Sequence, residues 1–179
     1  MLVRSLNILG LLGISAILAV AFFYQLALGE LPCPLCLLQR GAFVAVGCGF
    51  LLNIRFRTSP AHYGIVLISA VIGASVSLRQ ILLHVQPGDP GFGSTFLGLH
   101  FYSWGLLSFA GAILYAALLL FVEPDDRWLE ERAAFFDRLA SLGIWLFLLL
   151  VAGNLASTLL ECGIGPCADN PVGYNWLPL

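Results

Sequence analysis

The chain has 179 residues, of which 60% are hydrophobic and only 10% are charged, and its mean hydropathy is +0.95. A soluble domain carries about 25% charged residues, so this composition excludes a soluble domain and predicts an integral membrane protein. The formal net charge is −2 and the basic residues are all arginine, which gives no sign of nucleic-acid binding.

Five apolar runs each approach the roughly 20 residues that a membrane-spanning helix requires. They cover residues 6–28, 37–54, 63–83, 101–122 and 139–160. We therefore predict an all-α membrane protein that forms one integral membrane domain over residues 1–179. Small residues four apart, such as Gly41, Ala45 and Gly49, favour close packing of these helices as a bundle. No acidic residue lies within the five spans, which argues against a proton or ion pathway.

The arginines predict the orientation of the bundle. With the N-terminus in the cytoplasm, the cytoplasmic segments hold Arg4, Arg55, Arg57, Arg127, Arg132 and Arg138. The outer segments, residues 29–35, 84–100 and 161–179, hold no arginine or lysine. This asymmetry follows the positive-inside rule, and an odd number of spans then places the C-terminus on the outer side.

A Cys-x-x-Cys motif lies at the outer mouth of the second span. It reads Cys33-Pro34-Leu35-Cys36, and Arg40 follows one helical turn later. Because proline is favoured at the first helical position, Cys33 is predicted to cap the helix and Cys36 to lie in its first turn. The positive helix end and Arg40 both favour a thiolate at Cys36, which suits disulfide exchange. A structural disulfide or half of a zinc site is the alternative interpretation.

Four of the five cysteines are predicted to face the oxidising compartment, since Cys162 and Cys167 follow the fifth span. Cys48 lies inside the second span, where a small apolar packing role is expected. The outer loop 85–100 is rich in proline and glycine, which predicts a mobile segment with many turns. The cytoplasmic stretch 123–138 mixes acidic residues with arginines and predicts a short amphipathic helix at the membrane surface.

These features together resemble the DsbB family of disulfide-bond formation proteins. The likeness rests on Cys33-Pro34-Leu35-Cys36 with Arg40, on the segment LRQILL at 78–83, and on FLGL at 96–99 leading to Trp104. The resemblance implies a four-helix transmembrane bundle over about residues 1–122, to which this chain adds a fifth transmembrane helix. It also implies a multi-pass protein of the bacterial inner membrane whose redox cysteines face the periplasm.

The resemblance further implies a quinone-dependent protein-disulfide oxidoreductase. Such an enzyme oxidises a periplasmic thioredoxin-like, DsbA-like dithiol partner and passes the electrons to a membrane quinone, either ubiquinone or menaquinone. By resemblance, Cys33 and Cys36 lie next to the quinone and Arg40 holds its carbonyl. Gln80 and His84, near the outer end of the third span, are implied as further quinone neighbours.

The chain departs from the family pattern in its second cysteine pair. The family carries that pair in the loop between spans three and four, where this chain has no cysteine. Cys162 and Cys167 lie on the same side of the membrane, close enough in sequence to form a disulfide. Our hypothesis is that they replace the loop pair as the shuttle that receives electrons from the partner. A structural disulfide that holds the C-terminal tail is the alternative.

Three other interpretations remain open at this point. The four outer cysteines could bind zinc if the C-terminus folded over the first outer loop, although we expect no metal. The protein could be a non-catalytic membrane protein whose disulfides are structural. A resemblance to vitamin K epoxide reductases is disfavoured, because their redox motif lies at the outer end of a later span.

Overall fold

The computed structural model describes residues 2–122 and 134–176, with the side chains of the last helix described from Phe136 onward. The helices are α1 (Leu2–Ala27), α2 (Pro34–Arg55), α3 (Pro60–Leu83), α4 (Phe101–Leu120) and α5 (Ala134–Cys162). Each contains a stretch long and apolar enough to cross a membrane. The prediction of an all-α fold with five spans is confirmed. Most of the segment 123–138, predicted as an amphipathic helix, lies outside the described residues.

The second and third helices begin in the same way. Cys33 is the extended N-cap of α2, its sulfur accepts a hydrogen bond from the backbone N–H of Cys36 at 3.1 Å, and Pro34 is the first helical residue. This is the predicted start of α2. At α3, the Ser59 hydroxyl accepts a hydrogen bond from the N–H of Ala61 at 3.3 Å. Such caps satisfy N–H groups that have no partner within the helix.

The helices pack with α3 between α2 and α4, while α1 packs against α2 and α5. Close approach of α2 to α3 depends on Gly49, because a Cβ atom there would lie 2.8 Å from the carbonyl oxygen of His62. A Cβ atom at Gly41 would meet open space. The small-residue stripe of α2 is therefore a packing surface at its inner end only.

The fifth helix shares the core of the first four. Phe147 of α5 is completely buried, and its ring occupies the space that a side chain at Gly47 of α2 would need. The largest fully buried apolar side chains are Leu11, Leu18, Val46, Phe50, Val66, Phe109 and Phe147. The packing role predicted for Cys48 is wrong, since its side chain is exposed on the outer surface of α2.

The two ends of the bundle differ in chemistry. At one end, Arg4 of α1 forms an ion pair with Asp137 of α5 at 2.7 Å. At the other end, the Gln25 side chain of α1 donates to the Ser157 hydroxyl of α5 at 2.6 Å. The helices α1 and α5 therefore run parallel. Both cysteine pairs lie at the end opposite the Arg4–Asp137 pair, as the arrangement of arginines predicts.

A small hairpin covers the cysteine end. Strand β1 (Thr95–Phe96) pairs antiparallel with β2 (Leu99–His100) through a turn in which Leu97 and Gly98 have φ values of 50° and 80°. Positive φ at both turn residues suits the twist of a two-residue hairpin. Two bonds tie this loop down: the indole of Trp104 donates to the Phe96 carbonyl at 2.8 Å, and Glu30 accepts from the Ser94 N–H at 3.2 Å. The loop predicted as mobile thus contains an anchored hairpin.

Candidate functional site

The Cys33–Cys36 pair forms a disulfide at the start of α2, with the two Cα atoms 5.0 Å apart. The two sulfurs have different surroundings. Cys33 is only 5% exposed, whereas Cys36 is half-buried and lines a cavity. Cys33 is the N-cap and Cys36 lies in the first turn of α2, and of the two only Cys36 lines the cavity. Cys36 is therefore the sulfur that a bound molecule can reach.

Gln80 of α3 holds the disulfide from the opposite side. Its side chain is 1% exposed, and its Nε2 lies 3.3 Å from the sulfur of Cys33 and 3.6 Å from that of Cys36. Its Oε1 accepts a hydrogen bond from Gln39 Nε2 at 2.7 Å, which fixes the orientation of the amide. Two donors, the Cys36 N–H and the Gln80 amide, converge on Cys33. The expectation of a thiolate at Cys36 stays a prediction, since these donors favour charge on Cys33 at least equally.

The cavity next to Cys36 has a volume of about 360 Å³ and lies between α1, α2, α4 and the hairpin. Its walls are mainly apolar and aromatic; they include Ile17, Val20, Tyr24, Phe43, Phe92, Phe96, Phe101 and Trp104. Two ring contacts support the walls: Phe43 stacks on Phe109 at 3.9 Å and Tyr24 meets Phe101 at 4.4 Å. Size and lining are those of a site for a small, mostly apolar ligand.

Arg40 places a cation in the wall of this cavity. The side chain is only 8% exposed, so it does not extend to the lipid headgroups. One guanidinium nitrogen donates to the Gln25 side-chain oxygen at 2.5 Å, a second donates to the Ala21 carbonyl at 3.1 Å, and the group lies 5.6 Å from the centre of the Phe22 ring. These contacts hold the charge in one place. A buried cation within a membrane helix is uncommon and usually functional.

His84 lies outside the cavity wall. It is the C-cap that follows α3, its Nδ1 is 3.1 Å from both carboxylate oxygens of Asp89, and its ring stacks against Tyr102 at 5.7 Å. Hydrogen bonds from the Gly91 N–H and from His84 hold the pKa of Asp89 below its ordinary value. Among the predicted quinone neighbours, the structure thus brings Arg40 to the cavity and Gln80 to the disulfide, and it leaves His84 in the outer loop.

The second disulfide joins Cys162, the last residue of α5, to Cys167, with Cα atoms 4.5 Å apart. Cys162 is 6% exposed, and Cys167 is more accessible. The tail beyond it folds back, because the backbone N–H of Asn175 donates to the Glu161 carbonyl at 3.3 Å and that of Trp176 to the Leu160 carbonyl at 3.1 Å. The pair thus caps α5 at the cysteine end of the bundle.

The sequence interpretation missed two polar residues near Arg40. Gln25 accepts from Arg40 and donates to Ser157 and, at 3.1 Å, to the hydroxyl of Tyr174. Glu161 lies one position beyond the predicted fifth span and is only 4% exposed. The available signal for Gln25 was an amide side chain within an apolar run, and the signal for Glu161 was an acidic residue at a span boundary.

The four outer cysteines form two separate disulfides, Cys33–Cys36 and Cys162–Cys167. Over residues 2–122 and 134–176, the structure shows no cluster of three or more His, Cys, Asp or Glu side chains that could bind a metal. The geometry therefore gives no support to the four-cysteine zinc interpretation.

The family model of disulfide bond formation protein DsbB matches residues 3–94, which is half of the chain. The chain belongs to the DsbB family. The match covers α1, α2, α3 and the beginning of the outer loop, and therefore includes Cys33, Cys36, Arg40 and Gln80. It does not reach α5 or the second disulfide. The recognition made from the CPLC motif is confirmed.

Several curated relatives are named disulfide bond formation protein B. The protein from Chromobacterium violaceum is 42% identical over 49% of this chain and 58% of its own length. The one from Xanthomonas euvesicatoria pv. vesicatoria is 36% identical over 48% of this chain and 53% of its own length. The one from Azoarcus sp. is 31% identical over 60% of this chain and 86% of its own length. The chain spans little more than half the length of the first two relatives, and no solved structure matches it.

Proposed function

We propose that this DsbB-family protein is a membrane thiol-disulfide oxidoreductase. It oxidises a periplasmic, thioredoxin-like dithiol partner and passes the electrons to a membrane quinone, ubiquinone or menaquinone. The observation that carries the proposal is that one apolar cavity has both a disulfide sulfur, Cys36, and a buried cation, Arg40, in its wall. The arginine-rich opposite end supports placing the cysteine end in the periplasm of a bacterial inner membrane.

The residues of the cavity fit a quinone. Apolar and aromatic walls suit the ring, and the Arg40 guanidinium would hold a carbonyl oxygen and stabilise negative charge that develops there. When bound, the quinone supplies an acceptor for the two electrons and two protons that the Cys33–Cys36 dithiol releases as its disulfide forms. Gln80 positions both sulfurs and stabilises charge on Cys33, while Cys36 faces the cavity.

The second disulfide is proposed as the entry point for electrons. A partner thiolate would attack the more accessible Cys167, forming a mixed disulfide and releasing Cys162 as a thiolate. The partner's second thiol would then release the oxidised partner and leave Cys162 and Cys167 as a dithiol, which the Cys33–Cys36 disulfide reoxidises. Ile164, which lies between the two cysteines in sequence, is 93% exposed, so an apolar side chain is accessible to a partner beside Cys167.

The quinone assignment can be tested in proteoliposomes that contain ubiquinone or menaquinone and a reduced thioredoxin-like partner. Arg40→Ala is expected to lower quinone-linked oxidation by about 10²–10³-fold, the effect of removing one donor that stabilises developing negative charge. Arg79→Ala is the matched control, because this arginine is exposed at the outer end of α3. Equal quinone kinetics in the Arg40 variant and the control would refute the assignment.

The shuttle assignment needs a second pair of measurements. In the Cys162→Ala/Cys167→Ala variant, oxidation of the protein partner should be lost while a small dithiol still drives quinone reduction through Cys33 and Cys36. Full oxidation of the partner by this variant would show instead that the second disulfide is structural.

A further inference from the structure

The fifth helix brings a buried acid close to Arg40. Glu161 is 4% exposed, and within the described part of the chain neither of its carboxylate oxygens has a hydrogen-bond partner. It lies one helical turn beyond Ser157 on α5. Since the Ser157 hydroxyl is bonded to Gln25, and Gln25 is bonded to Arg40, this face of α5 is directed towards the guanidinium.

A buried carboxylate with no hydrogen bond is costly unless a nearby cation compensates its charge. The charges of Glu161 and Arg40 interact across the interface between α5 and α2, although the two groups are not in ion-pair contact. The other polar groups that face this pair are Gln25 of α1, which is uncharged, and Tyr174 of the tail, whose hydroxyl is bonded to Gln25. Glu161 does not line the cavity, whereas Arg40 does.

We propose that Glu161 is a positioning residue for quinone use: its carboxylate is the counter-charge that keeps the Arg40 guanidinium buried in the cavity wall. This inference rests on the proposed function of Arg40. It gives the fifth helix a role in the quinone site, beyond carrying the second disulfide. Glu161 itself transfers no electron and no proton in this proposal.

The quinone-free protein provides the first test. A double-mutant cycle with Arg40→Met and Glu161→Gln measures their coupling from the unfolding of the detergent-solubilised protein. We expect the coupling to change the unfolding equilibrium constant about tenfold, which corresponds to about 1.4 kcal/mol. A coupling of zero would overturn the proposal. Because no quinone takes part, this result does not depend on the proposed enzymatic activity.

The second test uses quinone kinetics. Glu161→Gln should raise the KM for quinone about tenfold with little change in kcat, and Glu161→Asp should restore much of the wild-type KM. In the wild type the KM should rise as the pH falls and the carboxylate is protonated, whereas the Glu161→Gln variant should show no such rise. Asp169→Asn is the control, since it removes an exposed carboxylate from the same tail.

The outcomes separate the two proposals. Wild-type protein that fails to reduce quinone would refute the proposed function. Active wild-type protein whose Glu161→Gln variant has the same KM and the same pH profile would refute only the role of Glu161.

Discussion

The contact between Gln80 and the disulfide allows a quantitative prediction for Gln80→Leu. Leucine has a similar volume, but it donates nothing to the sulfurs, which Gln80 approaches at 3.3 Å and 3.6 Å. The reduced pair carries more negative charge on sulfur than the disulfide does, so a lost donor destabilises the reduced state more than the oxidised state. The reduction potential of the Cys33–Cys36 pair should therefore become more negative.

The size of the shift follows from the strength of the lost hydrogen bond. A bond to a charged group contributes about 1.5–3 kcal/mol. For a two-electron couple, about 30 mV corresponds to about 1.4 kcal/mol, so we expect a shift of about 30–65 mV. The variant should also lose about 1–3 kcal/mol of stability, because Gln39 Nε2 loses its buried acceptor, 2.7 Å away.

The assay is a redox titration in dithiol or glutathione buffers, with free thiols counted by alkylation and mass spectrometry. A background in which Cys48, Cys162 and Cys167 are replaced by serine leaves only the first pair to titrate. Gln86→Leu, an exposed position on the outer loop, controls for the added leucine. A potential that stays within about 10 mV of the parent protein, or that rises, would show that the Gln80 amide does not stabilise the reduced sulfurs.

Three further predictions concern the scaffold. Gly49→Ala should destabilise the protein by about 1–3 kcal/mol in thermal unfolding, because the added Cβ would lie 2.8 Å from a backbone oxygen of α3. Gly41→Ala is the control and should leave the stability unchanged. Equal stabilities of the two variants would contradict the packing described. Asn53→Leu should cost about 1–3 kcal/mol in chemical denaturation, because the fully buried Asn7 loses the hydrogen bond that Asn53 donates at 3.1 Å. An unchanged midpoint would argue against this contribution. The pKa of Asp89 is lowered in the fold. The stabilisation that the Asp89 carboxylate gives to the outer loop is therefore fully present above pH 3.8, the ordinary pKa. It is lost as the pH falls through the lower pKa of the folded state. Hydrogen exchange at the Gly91 amide should therefore accelerate in that acidic range in the wild type, and Asp89→Asn should abolish this pH step.

Rules that depend on neighbouring residues were sufficient to predict the start of α2, where the first cysteine pair lies. Proline at the first helical position made Cys33 the cap of α2, and helical spacing placed Cys36 and Arg40 on one face. Both features depend on a few adjacent residues and on helix geometry alone. The number of spans and the common end of the cysteine pairs followed equally directly, from hydropathy and from the arginines.

Features that depend on contacts between distant segments could not be predicted. The position of Glu161 depends on α5 docking beside α1, and no local signal in the sequence determines that choice of neighbour. Cys48 was expected to pack inside the bundle. Its position within α2 was predicted correctly, but which face of α2 is exposed depends on the neighbouring helices and was not predicted. His84 was expected near the quinone, but α3 ends at Leu83 and the chain turns His84 towards Asp89.

The central claim is that Cys33 and Cys36 deliver their electrons to a membrane quinone. Its most direct test is the thiol state of this pair in membranes that contain a reduced partner, with quinone present or withheld. We predict that Cys33 and Cys36 accumulate as free thiols without quinone and return to the disulfide when quinone is added. A pair that stays oxidised without quinone, or stays reduced after quinone is added, would contradict the account.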